Sequence, residues 1–254
     1  MTLIVSHISK QGIIQLSDSN LSTRIGTAGF GQKIFPVPYL NASVAFTGPY
    51  WVKNQRVDQW LNEVIDGSRL SSIRTIKEFV ENLVVRLNQD MTTTEKEEPT
   101  ILHIAGFEIK DFKSYAKHFH ISNCSLKEGG SYGDVRETFG YQEDFNSENS
   151  QHRAGLNIAE GVNSPLIFAN GEREGRTAFM TIWTHWTPLL GAFWVSADFK
   201  FRSPDSLFET GSVLKHYLEF VCHMYKMSEH EALYVGGEIQ SHYILSPQDL
   251  DLSS

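Results

Sequence analysis

The sequence predicts a layered α+β sandwich, with helices packed outside mainly antiparallel sheets. Two observations carry this expectation. Short runs rich in Ile, Val and Leu come in pairs joined by turn residues, and three longer segments carry an apolar stripe at helical spacing. Their order is strands, two helices, strands, helix, strand.

The first pair is residues 3–8 and 13–17, with "KQG" (Lys10 to Gly12) supplying the Gly that a tight reversal wants. With the turn centred near Lys10 and Gln11, opposed residues have numbers summing to about 21 by hairpin geometry. That register sets Asp18 to Asn20 beside Thr2. A second pair is "GQKIFPV" (31–37) and "NASVAFTG" (41–48), with Pro38 fixing the turn between them. The segment "PYWVKNQRVDQWLNEVI" then places apolar residues at 57, 60, 61, 64 and 65. In "SSIRTIKEFVENLVVRLNQD", Ile76, Phe79, Val80, Leu83, Val84 and Leu87 share one stripe. Both read as amphipathic helices, the second with Ser71 or Ser72 as N-cap.

Strands are expected again at "TILHIAGFE" (100–108) and "KSYAKHFHISN" (113–123). From Ser125 to Gln151 the chain turns polar, and about 125–151 reads as a long loop or insertion. Residues 155–204 yield no clear parse beyond a turn at "ANGEREG". The helical stripe returns with Leu214, Tyr217, Leu218, Val221, Met224 and Tyr225, and "YVGGEIQSHYIL" reads as a strand entered through a Gly pair.

Composition bounds the function. A chain of 254 residues, 41% hydrophobic, can bury a full core as one domain over 1–254, which excludes a disordered chain. With 22 Lys and Arg against 30 Asp and Glu and no basic run, the footprint of a nucleic-acid binder is missing. Cys124 and Cys222 stand far apart without a Cys-x-x-Cys pair, so neither a disulfide framework nor a zinc site is indicated, and a reducing compartment fits. No secretory signal pattern is seen, so the expected location is the cytoplasm. The stretch from Thr177 to Ala197 approaches membrane-spanning length but carries four Thr, His185 and Pro188, and reads as a buried helix or strand pair. No Gly-rich phosphate loop followed by Lys-Ser or Lys-Thr occurs, and no cofactor is expected. His118 and His120 alternate onto one strand face. Without a carboxylate or Cys in the neighbouring sequence they read as structural rather than as metal ligands.

The segments "TLIVSHISKQGIIQLSDSN", "QKIFPV", "VAFTGPYW" and, more weakly, "YVGGEIQSHYI" resemble the proteasome β-subunit family and its bacterial two-component relatives, which are N-terminal nucleophile hydrolases. The likeness follows the first 65 residues or so, and beyond them only the order of elements. It implies a four-layer αββα sandwich of mainly antiparallel sheets. It also implies a nucleophilic Thr2 freed by removal of Met1, supported by Asp18 and Lys33, with the Gly48 amide serving the oxyanion. The partners it implies are a polypeptide substrate and a homo-oligomeric ring, with an ATP-dependent unfoldase a possible addition, while the charge balance and the polar residues of 177–197 speak against nucleic acid and membrane.

The chemistry accounts for those residue types. A Thr hydroxyl is a weak nucleophile, and a freed α-amine of reference pKa about 7.7–8.0 can act as its general base. A neighbouring Lys favours the neutral amine, and an Asp offsets the cost of burying that Lys. Two supports expected from the resemblance are missing. The positions before Gly236 and Gly237 hold Ala232 and Val235 where an Asp and a Ser are expected, with Glu231 able to replace the acid only after a register shift. For the Ser of a Gly-Ser-Gly loop, Ser131 in "GGSYGD" is a weak candidate. The leading expectation is therefore a threonine-type hydrolase of peptide (amide) bonds. The alternatives are an inactive proteasome-like assembly subunit and a small-molecule amidase using the same Thr2 chemistry.

Overall fold

The computed structural model describes residues 2–9, 11–23, 26–126, 132–148, 165–196, 204–227 and 235–247. The protein is mixed α+β, and its sheets are antiparallel. Leu3–Ser9 (β1) and Gly12–Asp18 (β2) form the expected hairpin, with Ile4 opposite Ser17 and Ser9 opposite Gly12, so that partner numbers sum to 21. Asn20–Thr23 (β3) pairs with Gly26–Phe30 (β4). This small ribbon was not expected, because "NLST" and "GTAGF" show no apolar alternation. Ile34–Val37 (β5) and Ala42–Thr47 (β6) flank a single 3-10 turn at Pro38–Leu40, closed by Asn41 at φ 47°.

The expected first helix begins where its apolar stripe begins, at Val57, and the residues quoted ahead of it are not helical. Trp51–Val52 (β7) and Gln55–Arg56 (β8) form a minute hairpin around Lys53 and Asn54, both at positive φ, and the helix proper is Val57–Leu70 (α1). The second helix is Ile76–Asp90 (α2), and its N-cap is Thr75 rather than Ser71 or Ser72. The Thr75 hydroxyl accepts from the Glu78 N–H while the Glu78 carboxylate accepts from the Thr75 N–H, a reciprocal box. Ser71 instead terminates α1. A short helix, Thr93–Lys96 (α3), leads to Ile101–Lys110 (β9) and Lys113–Leu126 (β10), reversed through Asp111 and Phe112 at positive φ.

The polar stretch expected as a loop or insertion over 125–151 is corrected in part. Tyr132–Asn146 (β11) pairs along β10 as the edge strand of its sheet. An edge strand open to solvent carries charged residues on both faces, which hides its alternation, and Phe139 and Phe145 are its buried apolar anchors among the described residues. The unparsed region holds Leu166–Gly171 (β12) and Arg173–Ser196 (α4). Residues 177–196 of the uncharged stretch are therefore helix, and over 177–189 it is half-exposed rather than buried: Phe179 and Ile182 face inward while Trp186 and Leu189 do not. Leu207–Met227 (α5) and Ile239–Leu245 (β13) complete the elements, as the stripe and the Gly pair indicated. Among the described residues, no helix is long and apolar enough to cross a membrane.

One sheet runs β11-β10-β9-β6-β5 and the other β12-β1-β2-β13. Residues of α1 and α2 form the largest apolar cluster with the five-stranded sheet, through Trp60, Leu61, Phe79 and Leu83 against Phe35, Val44, Leu102 and Phe119. Residues of α4 and α5 form another with the four-stranded sheet, through Phe179, Leu214 and Leu218 against Leu3, Val5, Ile14 and Leu16. The opposite parity of β1 and β2 meets the five-stranded sheet in two smaller clusters, Ile4, Ile34, Ala45 and Ile101 at one end and Ile8, Ile13, Ala105 and Phe107 at the other. Between them runs a polar stripe. Gln15 donates to the Ser6 hydroxyl and the His103 carbonyl and accepts from Ser43, while the His103 ring lies within hydrogen-bond distance of Ser6 and Asn170. Both faces of β1 and β2 are buried, so their Ile, Val and Leu do not alternate with exposed residues, and the polar side chains they carry are buried too.

Replacing the true cap separates it from the expected one. Thr75→Ala is expected to cost about 1 kcal/mol and to lower the Tm by about 2–4 °C, whereas the exposed Ser72→Ala stays within about 0.5 kcal/mol; thermal unfolding of the two variants checks this.

Candidate active site

Strand register brings Thr2 against two partners. On one side Gly171 ends β12 and the Glu172 N–H donates to the Thr2 carbonyl at 3.0 Å. On the other side lies the corner between β2 and β3, residues 18–20. Thr2 shares the parity of Ile4 and faces the other sheet, and its hydroxyl donates to the Asn20 carbonyl at 3.2 Å. It is 1% exposed. Lys33 precedes β5, is itself buried, and its Nζ donates to the same Asn20 carbonyl at 2.6 Å. One oxygen thus gathers the hydroxyl and the amine.

Asp18 makes that carbonyl available. Its carboxylate is fully buried and accepts three backbone N–H groups, from Leu3 at 2.8 Å on Oδ1 and from Asn20 at 3.2 Å and Gly236 at 3.1 Å on Oδ2. This bends the chain so that the Asn20 carbonyl turns back toward Thr2. Burial pushes the Asp18 carboxyl up, opposed by the charge of Lys33 and by the three N–H donors. Burial likewise pulls the Lys33 ammonium down to about 8, opposed by Asp18. The two are coupled through space. The direct hydrogen bond of Lys33 goes to the Asn20 carbonyl, so Asp18 supports it both by its charge and through the backbone it holds.

Gly48 follows β6 and belongs to the same region through Phe46, whose N–H donates to the Lys33 carbonyl at 2.9 Å. A Cβ on Gly48 would come within 2.9 Å of both the hydroxyl oxygen and the methyl of Thr100, so the position is closed to other residues unless Thr100 moves. Thr2, Asp18 and Lys33 are gathered around Asn20, and Gly48 stands at the end of the strand paired with β5.

Two further glycines shape the site. At Gly171, φ is 125° and a Cβ would lie 1.8 Å from the Thr2 carbonyl oxygen; at Gly237, φ is 80° and a Cβ would lie 2.5 Å from the Ser19 hydroxyl. Neither the Gly171 contact nor the Glu172 grip on Thr2 was foreseen, because both fall in the unparsed region. The Glu172 carboxylate is buried, accepts from the Gly175 N–H at 2.6 Å and contacts the Tyr225 hydroxyl. Val235 is buried among the residues of α4 and α5, while Ser131, Glu231 and Ala232 lie outside the described residues. A cavity of about 660 Å³ opens beside the corner, lined by Ser19, Phe30, Gly31, Gly237, Glu238 and Gln240 together with Lys226.

The pair His118 and His120 has a partner that the sequence reading missed. Asp144 on β11 accepts from His118 Nδ1 at 2.9 Å and from His120 Nδ1 at 2.7 Å, and His118 stacks on Phe168 at 4.1 Å. Among the described residues no group of three His, Cys, Asp or Glu could hold a metal ion. These contacts fix β10 to β11 and to β12.

Two pH effects follow from buried groups. Lys33 holds its proton less tightly in the fold than in the unfolded chain, so stability rises with pH between about 8 and 10.5. Urea titrations should show Lys33→Met lacking this rise, a slope difference approaching about 1.4 kcal/mol per pH unit at its steepest. His7, buried edge-on to Trp183, is pulled down to about 4 by burial, so below about 6.5 the unfolded chain binds the extra proton and stability falls toward pH 4. Acid denaturation of His7→Phe should show a shallower fall than the natural chain. No family model matches the chain, and no curated protein matches it.

Proposed function

We propose that this chain is an N-terminal threonine hydrolase that cleaves peptide (amide) bonds by acyl transfer to Thr2 once Met1 is removed. The observation that carries the reading is the convergence of the Thr2 hydroxyl and the buried Lys33 amine on one carbonyl oxygen, that of Asn20. The packing order supports the αββα arrangement that the resemblance implies, since one helix pair clusters with each sheet and the sheets meet in between.

In this mechanism the free α-amine of Thr2 takes the hydroxyl proton as Oγ1 attacks the substrate carbonyl. Lys33, held in place by the Asn20 carbonyl, favours the neutral form of that amine. The tetrahedral oxyanion is stabilised by the Gly48 N–H, a type of contact worth about 3–4 kcal/mol in characterised hydrolases. The amine returns its proton to the leaving nitrogen, the C–N bond breaks, and an ester to Thr2 remains. Water, deprotonated by the same amine, hydrolyses the ester and restores the hydroxyl. Polypeptide is the substrate under this reading, and a ring of copies with an ATP-driven unfoldase is the assembly that goes with it.

One observation favours a second reading, an inactive assembly subunit: Thr2 is almost fully buried and its hydroxyl is engaged with the backbone.

A peptide epoxyketone, which reacts with both the hydroxyl and the free amine of a terminal Thr, separates the two. Intact mass and peptide mapping are expected to show loss of Met1 and an adduct on Thr2. Thr2→Ala should abolish the adduct, and Lys33→Ala should slow its formation at least a hundredfold while the fold is kept. Retention of Met1, or a free Thr2 that never reacts, would reverse the preference in favour of the assembly subunit.

A further inference from the structure

The tripeptide Gly31–Lys33 lies between β4 and β5 and belongs to neither ladder. Its backbone is fixed from outside at four points. The Gly31 N–H donates to the Ser19 carbonyl at 3.0 Å and the Lys33 carbonyl accepts from the Phe46 N–H at 2.9 Å. The other two points come from one side chain. Gln240 on β13 accepts the Lys33 N–H on Oε1 at 2.8 Å and donates from Nε2 to the Gly31 carbonyl at 2.7 Å. Gln240 in turn is fixed by pairing with Ser17, next to the pair of Ile239 with Asp18.

We propose that Gln240 is a positioning residue for the threonine site: its side-chain amide brackets residues 31–33 and holds Lys33 at the depth where its amine reaches the Asn20 carbonyl beside Thr2. This deepens the reading of the chain as a threonine hydrolase and rests on it for the chemistry, though not for the geometry.

The amide is suited to this task. A single group that donates at one end and accepts at the other fixes both the height and the direction of the tripeptide, which an apolar residue of the same size cannot do. Lys33 carries a long, flexible side chain, so backbone drift at residue 33 is transmitted to Nζ. Displacement of about 1 Å at a reacting group can cost on the order of a hundredfold in rate. Burial of the amine also depends on that depth, because a tripeptide that lifts away lets the ammonium regain water. The same strand that pairs with Asp18 thus sets Lys33, and the two groups that hold Asn20 are referred to one frame. Gln240 also lines the cavity beside the corner, so its amide borders solvent-accessible space.

The test uses the full chain. Gln240→Met keeps the volume and removes both hydrogen bonds, whereas Gln240→Glu keeps an acceptor for the Lys33 N–H and adds a negative charge. Two readouts are followed, the rate of epoxyketone adduct formation at Thr2 and the NMR titration of the Lys33 side chain. For Gln240→Met, the maximal adduct rate is expected to fall roughly ten- to a hundredfold with the half-saturating probe concentration unchanged. The Lys33 titration is expected to move up toward its ordinary 10.5. In Gln240→Glu the added carboxylate raises the Lys33 titration by its charge alone, so there the adduct rate is the readout; it is expected to fall because the Gly31 carbonyl loses its donor, and it remains if the Met variant fails to fold. An adduct rate per folded molecule unchanged in the folded variants, with the Lys33 titration of Gln240→Met also unchanged where that variant folds, would overturn the proposal and leave Gln240 as a strand tie. If the natural chain never forms an adduct, the hydrolase reading fails alone: a Lys33 titration that moves in Gln240→Met still supports the positioning role, and one that does not move overturns it.

Discussion

The buried carboxylate of Asp18 is the constraint on which the arrangement around Thr2 depends. A carboxylate without water must be supplied with donors, and the chain supplies three N–H groups from three places: the start of β1, the corner after β2 and the segment that enters β13. Satisfying one side chain therefore pins three otherwise unrelated backbone segments. The Asn20 carbonyl is turned toward Thr2 and Lys33 as a by-product of that satisfaction. Removing the carboxylate would withdraw the acceptor shared by three backbone segments, with the Asn20 N–H keeping a second one in the Gly236 carbonyl at 3.1 Å, so its effect on the site cannot be separated from its effect on the fold.

The electrostatics have the same root. Asp18 and Lys33 each suffer from burial, and each relieves the other through space while bonding to the backbone. An ammonium pulled down to about 8 still keeps its proton in the main at neutral pH, and so disfavours a second positive charge on an amine beside it. That is the condition under which a terminal amine could act as a base at neutral pH.

How far the sequence carried these conclusions differs between regions. The β1–β2 register could be read in advance because both strands are apolar on both faces and the turn is marked by Gly12, so the nearness of Asp18 and Asn20 to Thr2 followed from counting. The N-cap of α2 was misplaced because Ser71, Ser72 and Thr75 are equally good cap residues locally, and only the reciprocal bond with Glu78 distinguishes them. β11 was hidden because an edge strand obeys solvent more than alternation. The grip of Glu172, the closeness of Gly171 and the bracket of Gln240 are contacts between residues roughly 170 to 210 positions apart. A single sequence contains no local signal for them. His118 and His120 were recognised as sharing a face, yet their partner Asp144 was missed because it lies on β11, the strand the polar composition hid.

The polar stripe between the sheets has a bearing on how the two halves of the molecule find one another. Two apolar surfaces pressed together are indifferent to small translations, since one aliphatic contact replaces another at little cost. Ser6, Gln15, Ser43, His103 and Asn170 interrupt that indifference. Sliding either sheet by two residues would bring an amide or an imidazole against Ile4 or Ala105 and leave it without a partner, at a cost of about 1–3 kcal/mol for each such group. The stripe therefore works like the notch of a vernier: it indexes one sheet against the other. Thr2 is carried by one sheet and Lys33 is joined to the other, so their meeting at a single oxygen is set by an alignment made about two turns of strand pleat away.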